Sequence, residues 1–130
     1  MLFIGVDIGG TKIRGVLWDG RKVVRAHEFP TPKNKDDFKE GLLTLVSHLS
    51  GENPVRAIGI GAAGIVEKTT LVSSPNISYI KNFAFRPLWP RSMRLRADND
   101  ARCFARAELL QGAGRGVSAG PTAKTEKLSR

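Results

Sequence analysis

Polar and apolar residues alternate in short runs at the start of the chain and then settle into a helical rhythm. Leu2, Phe3, Ile4 and Val6 make a first apolar run, Ile13 to Trp18 a second and Lys22 to Phe29 a third. These predict strands over 2–8, 13–18 and 22–29, with Val23, Val24 and Ala26 of the third available for a core. Asp19-Gly20 is a strong hairpin signal between the last two, and Pro30 and Pro32 end the third strand. Asn34 to Asp36 offers caps for a helix. In it Phe38, Leu42, Leu45, Val46 and Leu49 recur at spacings of three and four, and Gly51 to Pro54 ends it. Val55 to Ile60 reads as a fourth strand. Met93 to Ala97 reads as a fifth, in which Arg94 and Arg96 alternate with apolar residues, as on an edge strand with one wet face. Asp98 and Asn99 then supply cap chemistry for a second long helix, with a buried stripe of Ala101, Phe104, Ala105, Ala107 and Leu110 and a stop at Gly112.

Two stretches need separate treatment. Gly59-Ile60-Gly61-Ala62-Ala63-Gly64 matches the glycine pattern of dinucleotide-binding turns. That pattern requires a following helix and an acidic residue about twenty positions on. Ile65-Val66 and Thr69 to Val72 read instead as strand or extended chain, and Lys81, Asn82 and Phe83 include no acid, so the match is rejected. Residues 75–92 hold Pro75, Pro87 and Pro90 with Phe83, Phe85 and Trp89, which marks an ordered connector rather than low complexity.

The chain has 130 residues, enough for one domain with a core, and its 41% hydrophobic and 25% charged content is that of a soluble globular protein. No apolar run approaches membrane-spanning length, and the chain enters a strand at once, without the pattern of a signal peptide. The single cysteine, Cys103, excludes an internal disulfide and suits a reducing cytoplasm. It falls in a helical pattern as a small core residue. His27 and His48 are isolated and, with one cysteine, do not make a zinc site. The net charge of +9 raises nucleic-acid binding as a rival. The basic residues are dispersed, however, few aromatics interleave with them, and no helix-turn-helix or zinc-finger pattern is present. A solvated basic face that attracts a nucleotide or a partner lobe is the better reading.

The stretch that carries chemistry is Val6-Asp7-Ile8-Gly9-Gly10-Thr11-Lys12, at the junction of the first two strands. Glycines here permit unusual dihedrals and a close approach of ligand to backbone. Exposed amide N–H groups in such a turn make an anion site. Thr11 adds a hydroxyl, Lys12 a cation if it turns inward, and Asp7 a carboxylate for a phosphate-bound Mg²⁺, directly or through water. This is a hairpin phosphate site and not a P-loop, which needs a different spacing and a following helix. The bland alternative is an ordinary Gly-Gly turn. If the first, fourth and fifth strands are parallel neighbours in the order 3-2-1-4-5, Asp7, Gly61 and Asp100 fall at one C-terminal sheet edge, where open α/β sheets bind ligands.

Asp7-Ile8-Gly9-Gly10-Thr11-Lys12 resembles the first phosphate motif of sugar kinases with an actin-like fold, in particular the ROK family (repressors, open reading frames, kinases). Asn99-Asp100-Ala101-Arg102 is similar to that family's Asn-Asp-Ala-Asn catalytic segment, and Glu108 and Gly112 to Gly116 follow at family-like spacing. The resemblance covers residues 1–118. It implies an α/β, actin-like (ribonuclease H-like) lobe with a mixed sheet of about five strands. It also implies ATP- and Mg²⁺-dependent phosphorylation of glucose or a related hexose. Asp100 would deprotonate the attacking hydroxyl, Asn99 would orient the sugar, and Gly64 and Asn76 would line the sugar site. Gly9, Gly10, Thr11 and Lys12 would hold the phosphates and Asp7 the Mg²⁺. Asp98, Asn99 and Asp100 could otherwise serve only as helix caps and first-turn acids, and Asn76 as a turn residue after Pro75.

Some ROK relatives are repressors with a DNA-binding segment ahead of the kinase-like domain, for which a motif beginning at residue 7 leaves no room. Residues 119–130 are polar, basic and nearly free of core residues, as in a disordered tail. A full-length ROK kinase would continue here into a strand and a second phosphate loop. That loop, the family's zinc segment and its adenosine pocket are not among these residues, and a truncated or frameshifted reading frame is the expectation. A non-catalytic sugar- or nucleotide-binding module, or a regulator fragment, remains open as an alternative, as does self-association of a full-length form.

Overall fold

The computed structural model describes residues 1–99. The second helix, the tail, Asp100, Cys103, Glu108 and the glycines after Gln111 lie outside the described residues.

The first three strands are β1 (Leu2–Ile8), β2 (Lys12–Trp18) and β3 (Val23–Pro30), followed by helix α1 (Lys35–Ser50) and strand β4 (Val55–Ala62). Short strands β5 (Ile65–Glu67), β6 (Thr70–Ser73) and β7 (Lys81–Ala84) precede a 3-10 turn, Arg86–Leu88, and strand β8 (Arg94–Asp98). The main sheet is five-stranded in the order β3-β2-β1-β4-β8, and β5-β6-β7 form a second, three-stranded sheet. The order predicted from sequence holds, with β8 as the fifth strand. The small sheet adds a strand, β7, inside the stretch read as a connector.

β1 runs antiparallel to β2 and parallel to β4, and β4 runs parallel to β8. A parallel pair requires a crossover, and here it is made by β2, β3 and α1. Helix α1 starts where the sequence allows it. The Asn34 side chain accepts from the Asp37 N–H at 2.8 Å, satisfying one of the donors a helix leaves unpaired at its start. At the other end Gly51, with φ of 60°, donates to the Ser47 carbonyl. Arg25 of β3 adds a second closure, donating from one nitrogen to the carbonyls of His48 and Leu49, each at 3.0 Å. His27 and His48 are therefore not isolated, as the sequence suggested. Their rings meet at 4.5 Å where β3 passes the end of α1.

The apolar face of α1 is Phe38, Leu42, Leu45, Val46 and Leu49, all buried. It lies over the face of the sheet that carries Ile4, Val6, Ile8, Ile13, Leu17, Ile58 and Ile60. Each such side chain removed from water contributes about 1.5–3 kcal/mol. Contact is closest at Gly15, where an added Cβ would meet Leu49 Cδ1 at 2.8 Å and Leu45 Cδ2 at 3.0 Å. At its N-terminal end α1 reaches the small sheet through aromatic contacts. Phe38 meets Tyr79 edge-on at 6.0 Å and Phe83 at 5.0 Å.

β3 corrects one expectation. Val23 and Val24 are 44% and 45% exposed and Ala26 is also exposed, so none of them enters the core. β3 is the sheet edge, and only Phe29 of that strand packs against the core, under Gly41 of α1. β8 behaves as predicted, with Arg94 and Arg96 exposed and Leu95 and Ala97 partly buried.

Gly15→Ala is expected to lower stability by about 1–3 kcal/mol, the usual cost of forcing a methyl into a packed site. Denaturant unfolding measures it. A second expectation concerns the β2–β3 turn. The N–H groups of Lys22 and Arg21 donate to the Asp19 carboxylate and hold it below the usual carboxylate range. A carboxylate lowered on folding stabilises above its unfolded value and loses that contribution as pH falls through the folded one. The stability difference between wild type and Asp19→Ala should therefore shrink as pH drops below about 4, read from unfolding midpoints across pH.

Candidate functional site

The turn between β1 and β2 is closed by the Gly9 N–H donating to the Lys12 carbonyl at 3.0 Å. One amide of the expected anion site is thus spent inside the turn. The amides of Gly10 and Thr11 have no partner among the described residues. Neither glycine takes a left-handed φ; that conformation falls on Gly20, Gly51 and Gly64. Gly10 is required by space instead, and the space at Gly9 is tight. A Cβ on Gly10 would lie 2.6 Å from the Asn76 Cβ, and one on Gly9 3.1 Å from the Lys12 carbonyl oxygen. The phosphate-side turn and the sugar-side asparagine predicted from sequence are therefore in direct contact, and Asn76 itself is exposed.

Gly64 has a different reason to be glycine. Its φ is 133°, and a Cβ would fall 2.1 Å from the Ser73 carbonyl oxygen, so it turns the chain from β4 into β5 with the end of β6 pressed against it.

Strand register assembles a row of charge on the face opposite α1. Glu28 pairs with Arg14, Arg14 with Asp7, Asp7 with Gly61 and Gly61 with Asp98. Directly opposed residues of adjacent strands share a face. Asp7 and Asp98 therefore flank Gly61 at the C-terminal edge of the parallel strands. Asn99 follows, exposed, and its N–H donates to Asp98 at 2.7 Å. Asp100 is the next residue along. Lys12 reaches sideways, its Nζ 3.6 Å from Glu28 Oε2, with both side chains about half exposed (53% and 49%). A pair so exposed stabilises little and leaves the amine able to rotate to another anion.

Sequence reasoning missed three residues here. Arg14 stands between Glu28 and Asp7. Partial burial draws its guanidinium below the ordinary value, and the two carboxylates push it back up. Its alternation with Ile13 and Gly15 was visible in the sequence, but its partners were not. Asp98 was read only as a cap. Thr31 was passed over between two prolines. Its N–H donates to the Thr11 carbonyl at 2.9 Å and its hydroxyl to the Gly9 carbonyl at 2.7 Å. Pro30 and Pro32 have no N–H, so Thr31 carries the only backbone donor of that run; that was the available signal.

Among the described residues no group of three or more His, Cys, Asp or Glu is placed to hold a metal ion alone. Asp7 is nonetheless exposed beside the turn. One hard carboxylate oxygen with nucleotide phosphates and water is a donor set that suits Mg²⁺. No described helix is long and apolar enough to cross a membrane. Away from this edge, a concavity of about 520 Å³ at the start of β1 and β4 is lined by Arg56, Arg94 and Arg96 with Phe3 and Leu95, so part of the positive charge gathers well away from the turn.

Comparison with known proteins bears on the family and the fold. The glucokinase of Streptomyces coelicolor is 33% identical over an alignment 119 residues long that covers 88% of this chain and 38% of that protein. The N-acetyl-D-glucosamine kinase of Haemophilus influenzae is 36% identical over an alignment 115 residues long that covers 82% of this chain and 37% of that protein. The crystal structure of a ROK family glucokinase from Streptomyces griseus, in complex with glucose and AMPPNP, superposes with a TM-score of 0.71 at 31% identity, over 88% of this chain and 38% of that one. The chain thus spans little more than a third of the length of these relatives. The ROK family pattern matches residues 3–119, and the chain belongs to the ROK family, with the actin-like fold of its sugar kinases.

Proposed function

We propose that these residues form the N-terminal lobe, residues 1–118, of an ATP-dependent hexose kinase acting on glucose or a related sugar such as an N-acetylated amino sugar. The observation that supports the reading is the close approach of Gly10 and Asn76, which brings the turn expected to hold phosphate against the side chain expected to hold sugar. Support comes from relatives that are glucokinases and N-acetylglucosamine kinases, one of them in complex with glucose and a nucleotide analogue.

In this reading the Gly10 and Thr11 amides, the Thr11 hydroxyl and the Lys12 ammonium hold the phosphate chain, with Gly9 keeping the turn tight. Asn76, Asn99 and the backbone at Gly64 hold the sugar. Asp100 accepts the proton of the sugar hydroxyl as its oxygen bonds to the terminal phosphorus and the bond to ADP breaks. Asp7 would hold Mg²⁺, directly or through water; when bound, the ion neutralises charge on the phosphate oxygens. An amide such as Asn99 both donates and accepts, which suits a hydroxyl whose proton is about to leave.

This lobe supplies one side of a cleft. The purified 130-residue chain is therefore expected to phosphorylate glucose far below the usual ~1–100 s⁻¹ of kinases. A coupled ADP-release assay measures this, and turnover in that range would contradict the assignment of residues to one lobe. In a protein of full family length, Asp100→Asn should keep the fold and lower kcat by about 10²–10⁴-fold, the contribution typical of a positioned base. An unchanged kcat removes Asp100 from its role. Binding of glucose and ATP that persists without turnover in the full-length wild type would favour a sensor instead.

A further inference from the structure

The hairpin turn is gripped from outside by a segment that is itself gripped by the connector. Thr31 donates twice into the turn, to the carbonyls of Gly9 and Thr11, one on each side of Gly10. Next to it, the Pro32 carbonyl accepts from the Tyr79 hydroxyl at 2.8 Å. The Tyr79 ring is set edge-on against Phe38 of α1. Its turn is tied back through the Ile77 N–H to the Ser74 carbonyl and the Ile80 N–H to the Ile77 carbonyl. Asn76 lies in that turn and touches Gly10. The path runs from the Gly9–Thr11 turn through Thr31 and Pro32 to Tyr79, then along the chain to Asn76, which returns to Gly10.

Flanking prolines suit the segment to this task. Each fixes its own φ, and Pro32 also restricts Thr31, so the hydroxyl and N–H of Thr31 are held in register with little conformational freedom to lose. Burial raises Tyr79 above its ordinary value, and the Asp37 carboxylate adds to this, so the phenol stays a donor well past neutral pH.

We propose that Pro30-Thr31-Pro32 is a mechanical bridge between the connector and the phosphate turn. In it Thr31 is the positioning residue for Gly9 to Thr11, and Tyr79 transmits the state of the Asn76 turn to it. That the two ends serve sugar and phosphate rests on the kinase reading; the bridge itself does not. With sugar on Asn76, the Tyr79–Pro32–Thr31 path firms the turn that receives the nucleotide.

The test is amide hydrogen exchange on the full chain, first without ligand. Gly9 and Thr31 report directly, since their N–H groups are bonded within and onto the turn. Thr31→Val and Tyr79→Phe should each raise exchange at both amides by at least ~5-fold, a local opening, while amides of β1 and α1 stay protected. Thr31→Ser, which keeps both donors, should match wild type. Unchanged exchange at Gly9 and Thr31 in both Thr31→Val and Tyr79→Phe overturns the bridge. Should Thr31→Val lose core protection, Tyr79→Phe decides alone, because its ring still fills the Phe38 contact. A second arm adds glucose, which should slow Gly9 exchange in wild type and fail to do so in Tyr79→Phe. Equal slowing in both overturns the transmission through Tyr79. No glucose binding to wild type, by calorimetry, would count against the kinase reading and leave the ligand-free result to stand.

Discussion

The parallel pairing of β1 with β4 is the constraint on which the site depends. It aligns Asp7 with Gly61, and through β8 it brings Asp98 to the same line. Side chains far apart in the chain are thereby placed a strand or two from one another, at the edge where the strands end and loops begin. Parallel strands cannot be joined by a tight turn, so the chain must leave the sheet and return. Helix α1 makes the return possible because its apolar stripe has a matching face to lie on. Gly15 lets it lie close, with Leu45 and Leu49 filling the space a side chain would occupy.

The small sheet and the connector hold the other half of the site. Phe38 belongs to α1 but faces Tyr79 and Phe83, and Phe83 in turn packs on Phe85. This aromatic cluster anchors the connector to α1. Its consequence is positional. Asn76 is exposed, yet its backbone is fixed well enough to sit in van der Waals contact with Gly10. The turn of β1–β2 is therefore in contact with both Asn76 and Thr31.

Charge alternates in sign along that edge. Carboxylates and a guanidinium alternate across β3, β2 and β1, and Arg14 lies directly between Glu28 and Asp7. Lys12 is held by a weak, solvent-exposed pair with Glu28. A net charge of +9 is thus not a uniform coat. Part of it gathers at Arg56, Arg94 and Arg96, away from the turn, and part is neutralised where the carboxylates stand.

The sequence by itself determined the five strands of the main sheet, their order, the helix α1 with its five buried positions and the family, because local periodicity and turn chemistry dictate those and the glycine motif is specific; β7 it read as connector. It also predicted that Ile65 onward would not form a helix, and β5 and β6 bear this out. It misjudged Val23, Val24 and Ala26, since an apolar residue on an edge strand looks the same in a sequence as one in a core. It saw His27 and His48 as separate, and Thr31 not at all. Which side chain opposes which is set by strand register and helix placement, and no short stretch of sequence encodes those. Only the tertiary structure put Arg14 beside Asp7, Asn76 against Gly10 and Thr31 over the turn, because each contact joins segments whose meeting depends on the whole core having packed.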